Sequence, residues 1–413
     1  MATNTPLTIT NEADFFKFRY AKKSLATIYK DFPYWMAINK DQSFGGKELE
    51  TKVELDHGGS TGFGTLPTAQ PVTVDEANLT HKRLFARLMV DGLAWEASLD
   101  DADAMEEVSK FEVKRKTISF KKTLEEHLHG DSTGAIGTAD GSTPTGSATA
   151  PVVIISAATY IKAKWQTKMI VNVGSATDNY MITAVNDSTR AITLSRLDGS
   201  VDLTSGALSS ILYLQGSKDV AFTGTRGVLS ATSGSVYGIP VGKNWQASQL
   251  DASNAALTSE FLQQVVLDLY DVCGETPTMI ELPVTQYKKL LSQASDLQRF
   301  EMSAKSPFSR TDGEVQKSMK WLATLSFQGI GLATDRGVIP VIVNRFLKAS
   351  ECNLLNTDYI TFHSTRAGIH FKEKDGTVFM RREDSDEYEG RLALYGDQLI
   401  VPTYQGYIYN LAT

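Results

Sequence analysis

Two serines in this chain sit in the pattern a hydrolase uses to present a nucleophile. Ser60 lies in Gly58-Gly59-Ser60-Thr61-Gly62, and Ser132 in Gly130-Asp131-Ser132-Thr133-Gly134. Such a serine needs a buried strand before it and a helix after it, so that a sharp turn lifts the hydroxyl clear. Ser60 is followed by more glycine, and Ser132 follows a helical pattern and enters a polar linker. Both contexts read as small residues in turns. The run Gly58 to Gly64 does not cradle phosphate either. It lacks the lysine and hydroxyl of GxxxxGK[ST], and no helical pattern opens after it.

Metal ligands need to cluster, and the histidines do not. They are His57, His81, His127, His129, His363 and His370, with no HExxH. His127 and His129 are two apart, which puts them on different sides of a helix. They read as surface or helix-end residues. The acidic run Glu383-Asp384-Ser385-Asp386-Glu387 lacks the glycine and closing glutamate of a calcium loop. It reads as a solvated turn or as ion-pair partners for Arg381 and Arg382. Cys273 and Cys352 form no CxxC pair and no disulfide framework, which fits a reducing compartment. The residues therefore point to no catalytic, metal or cofactor site.

One basic cluster remains: Lys114, Arg115, Lys116, Lys121 and Lys122. Its ordinary role is a solvated helix face; its functional one is contact with DNA phosphate through a few charges. The net charge of −7 argues against a dedicated nucleic-acid binder and leaves room only for weak, local contact. The first residues hold no basic start with an apolar run, so no secretory signal is read. No stretch approaches the roughly 18 apolar residues that cross a bilayer. A cytosolic place of synthesis is expected, with no membrane contact.

The elements that carry these residues have an unusual order. Residues 1–40 bear a heavy apolar load, Phe15, Phe16, Phe32 and Trp35 within it, and need a surface to pack on. From Lys47 to Asp56, Leu49, Thr51, Val53 and Leu55 alternate with Glu48, Glu50, Lys52, Glu54 and Asp56. That period of two makes a strand with one apolar and one charged face. A Gly-, Ser- and Thr-rich tip with Phe63 follows over residues 57–70, then a return from Pro71 to about Leu99. Such a hairpin is marginal alone and asks for a partner. Asp101 to His129 reads as one long helix, about 40 Å at 1.5 Å per residue, with Gly130 to stop it. Its β-branched stretch Phe111 to Phe120 is a place where it could break.

Residues 130–150 read as a polar linker and 151–216 as a small inserted β domain. Phe261, Leu262, Val265, Val266, Leu269 and Tyr270 repeat at helical spacing before Gly274. A strand follows at Thr278 to Leu282, then a helix opened by Pro283 with Tyr287, Leu290 and Leu291 on one face, then a strand from Gly337. That order indicates a mixed α/β domain. The tail is β-rich, with Asp375-Gly376 as a hairpin signal and LIVPTYQGYIYNL as a final strand.

Taken in sequence, these elements resemble the major capsid proteins of tailed bacteriophages, whose fold was first seen in phage Hong Kong 97. The resemblance spans nearly the whole chain. The helix exit LEEHLHGDSTGAIG is similar to the run that ends the spine helix in many such proteins, and GRLALYGDQLIVPTYQGYIYNL to their peripheral strands. The fold it implies is α+β: an N-terminal arm (1–40), an extended loop (41–100), and a peripheral-domain spine helix with linker (101–150). The inserted β domain (151–216), axial domain (217–350) and peripheral strands with the C-terminus (351–413) complete it.

The function it implies is structural: pentamers and hexamers of this chain forming an icosahedral shell around a packaged genome, assembled in the host cytoplasm and ending in the virion. Lys47, Glu48, Glu50, Lys52, Glu54, Asp56 and Phe63 would form the inter-subunit arm, and Ser60 would sit at its tip. The partners implied are other copies of the chain, a portal protein, a decoration or cement protein, and packaged double-stranded DNA by weak contact. The chain enters the arm soon after Met1, which implies a separate scaffolding protein. An encapsulin-like shell is the nearest alternative, and a serine hydrolase or a monomeric binding protein the more distant ones.

Overall fold

A computed structural model describes residues 32–56, 73–93, 108–175, 178–197, 202–242, 244–298, 331–334, 337–366, 368–372, 378–382 and 385–413. In chain order, α1 (Pro33–Ala37) leads to β1 (Asn39–Asp41), β2 (Glu48–Asp56), β3 (Thr73–Thr80) and β4 (Lys82–Asp91). The long helix α2 (Val108–Leu128) follows. Then come β5 (Ala135–Thr138), β6 (Thr145–Ser147), β7 (Ala150–Ile154), β8 (Ile170–Val173), β9 (Asn179–Asn186), β10 (Ala191–Arg196) and β11 (Ile211–Leu214). A short helix α3 (Thr225–Leu229) and a small hairpin, β12 (Ser235–Val236) and β13 (Ile239–Pro240), precede β14 (Ser248–Asp251). Helix α4 (Ser259–Cys273), β15 (Met279–Leu282) and helix α5 (Val284–Gln298) come next. The remaining strands are β16 (Gly331–Thr334), β17 (Gly337–Val343), β18 (Cys352–Leu355), β19 (Ile360–Ser364), β20 (His370–Phe371), β21 (Phe379–Arg381), β22 (Glu387–Ile400) and β23 (Gly406–Tyr409).

The chain divides into two compact units. One holds Phe85–Phe120 and Phe371–Leu392, with Met1–Lys30, which lie outside the described residues; the other holds the remainder. In the smaller unit, β21 pairs antiparallel with β22, Phe379 opposite Gly390. There Arg381 meets Asp386 at 3.2 Å and Arg382 meets Glu387 at 2.8 Å, so the acidic run does serve those arginines. Asp375 and Gly376 lie outside the described residues, and β20 and β21 each pair with β22.

In the larger unit, six strands in the order β14-β23-β18-β15-β17-β16 make the α/β sheet. Helix α4 covers one face. Thr258 caps it by accepting from the Phe261 amide, and Gly274, at φ 72°, ends it in the left-handed conformation glycine tolerates. Leu262, Val265, Val266 and Leu269 from α4 meet Ile280, Leu282, Val341, Leu354 and Ile408 in one core. Leu290 of α5 joins that core, but Leu291 points outward. Strands β18 and β23 belong to this sheet. The boundary expected at 350/351 between axial and peripheral elements therefore does not hold: 351–413 supplies strands to the α/β sheet as well as β19 and β22.

The opposite face of the same sheet is polar. Gln249 sits opposite Tyr407, Tyr407 opposite Asn353, and Asn353 opposite Glu281, so these four share a face.

The segment 130–150, expected as linker, supplies β5 and β6. The strand order β5-β11-β8-β9-β10-β7-β6, with Ala139 bridging Ile155, closes the sheet into a small barrel with β6 as a flap. Its interior holds Ile155, Val171, Tyr180, Ile182, Ile192, Leu194 and Leu212, all fully buried. The barrel module thus begins near Ala135, not at 151. Its two ends touch. Ser217 Oγ lies 3.4 Å from the Gly134 carbonyl, and the Asp219 amide donates to Thr133 at 2.9 Å. Gly134 has φ 75°, and a Cβ there would lie 2.2 Å from the Ser217 carbonyl oxygen, so the neck requires glycine.

Helix α2 runs unbroken through its β-branched stretch for 21 residues, about 31 Å. The expected start at Asp101 lies outside the described residues. Phe120, Leu124 and Leu128, spaced by four, form its buried stripe. It ends where Gly130 donates to the His127 carbonyl, and Gly224 packs against that turn.

Candidate functional site

The extended hairpin is formed by β2 and β3. Glu48 sits opposite Thr80, Glu50 opposite Asn78, Lys52 opposite Glu76 and Glu54 opposite Val74; the intervening pairs are Leu49 with Leu79, Thr51 with Ala77 and Val53 with Asp75. Glu48, Glu50, Lys52, Glu54 and Glu76 are exposed, while Ala77 and Leu79 are fully buried. The alternation in the sequence is therefore realised: one face anchors the hairpin, and the other presents four glutamates against one lysine. Lys47 is exposed beside it and pairs with Glu48 at 3.3 Å. The tip over 57–70, with Ser60 and Phe63, lies outside the described residues.

The hairpin base is tied down. Asn78 donates its amide to the Tyr237 carbonyl at 2.8 Å, beside the β12–β13 turn. Phe44, buried, stacks on His81 with ring centroids 3.8 Å apart, and His81 Nε2 lies 2.9 Å from the Gly46 carbonyl. The return expected as one segment is two strands with different partners: β3 stays in the hairpin, and β4 joins β22.

In the smaller unit, β4 exposes Phe85, Arg87, Met89 and Asp91 along one face. Lys372 Nζ lies over the Phe85 ring at 5.2 Å. Arg87 grips Glu389 with two bonds of 3.0 Å, and Arg391 reaches the same carboxylate at 2.7 Å. Hydrogen bonds from Arg87 and Arg391 hold the Glu389 carboxyl down to about 2. This face mixes apolar area from Phe85 and Met89 with Arg87 and Asp91, of opposite charge.

The end of α2 is the most polar buried place among the described residues. Glu125 accepts the amides of Tyr34 and Trp35, each at 3.0 Å. His129 Nδ1 lies 2.8 Å from the Glu125 carbonyl, and its Nε2 lies 3.1 Å from Glu281 Oε2 on β15. Asn344 Nδ2 reaches His129 Nε2 at 2.8 Å and Glu281 Oε1 at 3.2 Å. The Tyr34 hydroxyl donates to Gln398 Oε1 at 2.9 Å, and Gln398 Nε2 donates to the Leu128 carbonyl at 3.1 Å.

Burial works against charge on His129, but the adjacent Glu281 overrides it and raises the imidazole's pKa. With both ring nitrogens protonated, one proton serves the Glu125 carbonyl and the other Glu281, and the Asn344 side-chain amide then donates to Glu281 alone. Burial lifts the Glu125 carboxyl to about 7 and drives the His127 imidazole down to about 4. Of the expectation of surface or helix-end histidines at 127 and 129, the helix-end part holds and the surface part is corrected: both are buried, because the end of α2 is enclosed by β15, β22 and α1.

Of the arm residues, Phe32 is buried and Trp35 packs edge-on against Phe362 at 5.0 Å, so this part of the arm packs on its own chain. Phe15 and Phe16 lie outside the described residues. In the basic cluster, Lys114 and Lys116 are exposed and Arg115 and Lys121 half-buried, but Lys122 is only 6% exposed. Lys122 therefore leaves the candidate DNA-facing set; its stem lies within the core, and burial lowers its pKa. Sequence reasoning missed Glu125, Glu281, Asn344 and Gln398. One signal was present: two glutamates and two histidines in the closing turns of a helix with an apolar stripe, and a lone Glu281 inside the apolar strand MIEL.

No group of three or more histidines, cysteines or acids is placed to hold a metal among the described residues. No helix among them is long and apolar enough to cross a membrane. Ser132 sits at φ 72° in the turn after α2, with no helix following it, so the nucleophile-elbow geometry is missing there.

A hairpin with one charged face, a long helix, an α/β sheet and a further strand layer make an α+β architecture. No protein-family model matches the sequence, and no curated protein matches it. Among solved structures, the chain is similar to the cyanophage A-1(L) capsid asymmetric unit, with a TM-score of 0.59 and 13% identity over 98% of this chain and 100% of that one. The capsid of a native GTA particle gives 0.48 at 9% identity, with 100% of both chains covered. The holo-SrpI encapsulin complex from Synechococcus elongatus gives 0.45 at 7%, covering 98% of this chain and 96% of that one. The chain has the Hong Kong 97-type capsid fold.

Proposed function

We propose that this chain is the major capsid protein of a tailed double-stranded DNA bacteriophage, building an icosahedral shell from pentamers and hexamers of itself. The observation that carries this reading is the fold shared with the cyanophage capsid subunit over the full length of both chains. The role is structural, not enzymatic, and the chain resides in the virion. The acidic face of β2–β3, with Glu48, Glu50 and Glu54, acts as an inter-subunit arm that settles on a neighbouring copy. The exposed β4 face, with Phe85 and Met89, offers apolar area to such contacts. Lys114, Arg115, Lys116 and Lys121 make weak contact with packaged DNA. A separate scaffolding protein, a portal protein and a decoration or cement protein complete the list of partners.

The test is electron microscopy of the protein alone and co-expressed with candidate scaffolding genes. Closed shells on the order of tens of nanometres across are expected, with roughly several thousand Å² buried per subunit. Small monodisperse particles in every sample would overturn the reading. Shells that carry protein cargo and never nucleic acid would move it to an encapsulin.

A further inference from the structure

The junction at the end of α2 holds one more buried charge than it pairs. His129 and Glu281 neutralise one another at 3.1 Å, and both are fully buried. Glu125, 1% exposed, has no cation within ion-pair distance among the described residues. What holds it is a pair of backbone dipoles, the Tyr34 and Trp35 amides at 3.0 Å each. The titratable groups that face it are Lys40 on β1, His129 one turn along its own helix, Glu281 on β15, and Tyr34 itself. Of these, Lys40 and His129 favour its charge, and Glu281 opposes it. A proton entering such a coupled set relieves most repulsion on the carboxylate without a partner.

We propose that Glu125 is a proton-operated latch: as a carboxylate it clamps the Tyr34 and Trp35 amides, and once neutral it lets the segment preceding Ile38 come away from the end of α2. The lift of its carboxyl to about 7 by burial agrees with this. The inference stands apart from shell assembly, because it concerns contacts within one chain.

The test is hydrogen–deuterium exchange of the full-length, unassembled protein at pH values spanning about 5 to 8, corrected for intrinsic exchange. Peptides covering residues 33–38 should lose about tenfold protection on acidification, the size of one lost helix cap. Strand β19, Ile360–Ser364, lies in the same unit and should keep its protection throughout. In E125Q, which offers one acceptor oxygen instead of two, protection of 33–38 should be low at every pH. Wild-type protection of 33–38 that is flat across this range, or that falls in step with β19, would overturn the latch and leave the capsid reading untouched.

Discussion

Truncating His129 probes the buried junction most severely. In H129A the Glu281 carboxylate stays fully buried, with Asn344 Nδ2 at 3.2 Å as a remaining partner. Breaking one partner out of a buried ion pair costs about 3–5 kcal/mol. The variant also gives up the edge-on packing of the Tyr34 and His129 rings, centroids 4.6 Å apart, worth about 1 kcal/mol. We expect a total near 4–6 kcal/mol, read from urea unfolding of the unassembled subunit. The double variant H129L/E281L should recover most of it, because a matched apolar pair leaves no charge uncompensated. The sign with pH is fixed by the raised imidazole. Its stabilisation is fully present below the free value of about 6.5 and is lost as pH rises through the raised folded value. The cost of H129A should therefore shrink in alkaline solution. A cost under about 1 kcal/mol at neutral pH, or additive single and double effects, would refute the claim that these groups act as a pair.

Other outcomes follow from the same structure. G224A places a Cβ 2.2 Å from the Gly130 carbonyl oxygen and 2.5 Å from its backbone nitrogen, so it should destabilise by about 3 kcal/mol in thermal unfolding. E389Q should flatten the acid limb of the stability curve. The depressed carboxyl contributes stability above its free value that is lost as pH falls toward about 2. E50K/E54K reverses charges on the exposed face of β2 and should abolish shells in sedimentation while leaving circular dichroism unchanged; shells that persist would remove the arm from the proposed assembly. K114A/K116A should lower the salt slope of DNA retention by about 2, one for each phosphate no longer neutralised, whereas K122A should act through stability instead.

The sequence speaks where a pattern is local. Helix α4 was legible because its cap, apolar stripe and terminal glycine fall within some 17 residues, and the Arg381–Asp386 pair because its members are five apart. The charged hairpin was legible because alternation needs no knowledge of the partner strand. Long-range membership was not. Nothing in CNLL or GYIY tells that these strands flank one another in the α/β sheet. The junction was hidden for the same reason: His129 meets Glu281 across 152 positions and Asn344 across 215. Strands β5 and β6 were masked by a Gly-, Ser- and Thr-rich composition that reads as linker; the barrel ladder, not side-chain propensity, makes them strands.

The neck of the barrel bears on how such a chain changes over generations. Because Gly134 and Ser217 touch, the remainder of the protein meets this module as though it were a tight turn. Closing a longer loop costs only about 0.6 kcal/mol per doubling, so the length of what hangs there is nearly free. Whatever folds by itself and brings its ends within a few ångströms can occupy the same slot without redirecting α2 or α3. The barrel is thus a replaceable part: a module of another size between 134 and 217 would leave the frame around it unchanged.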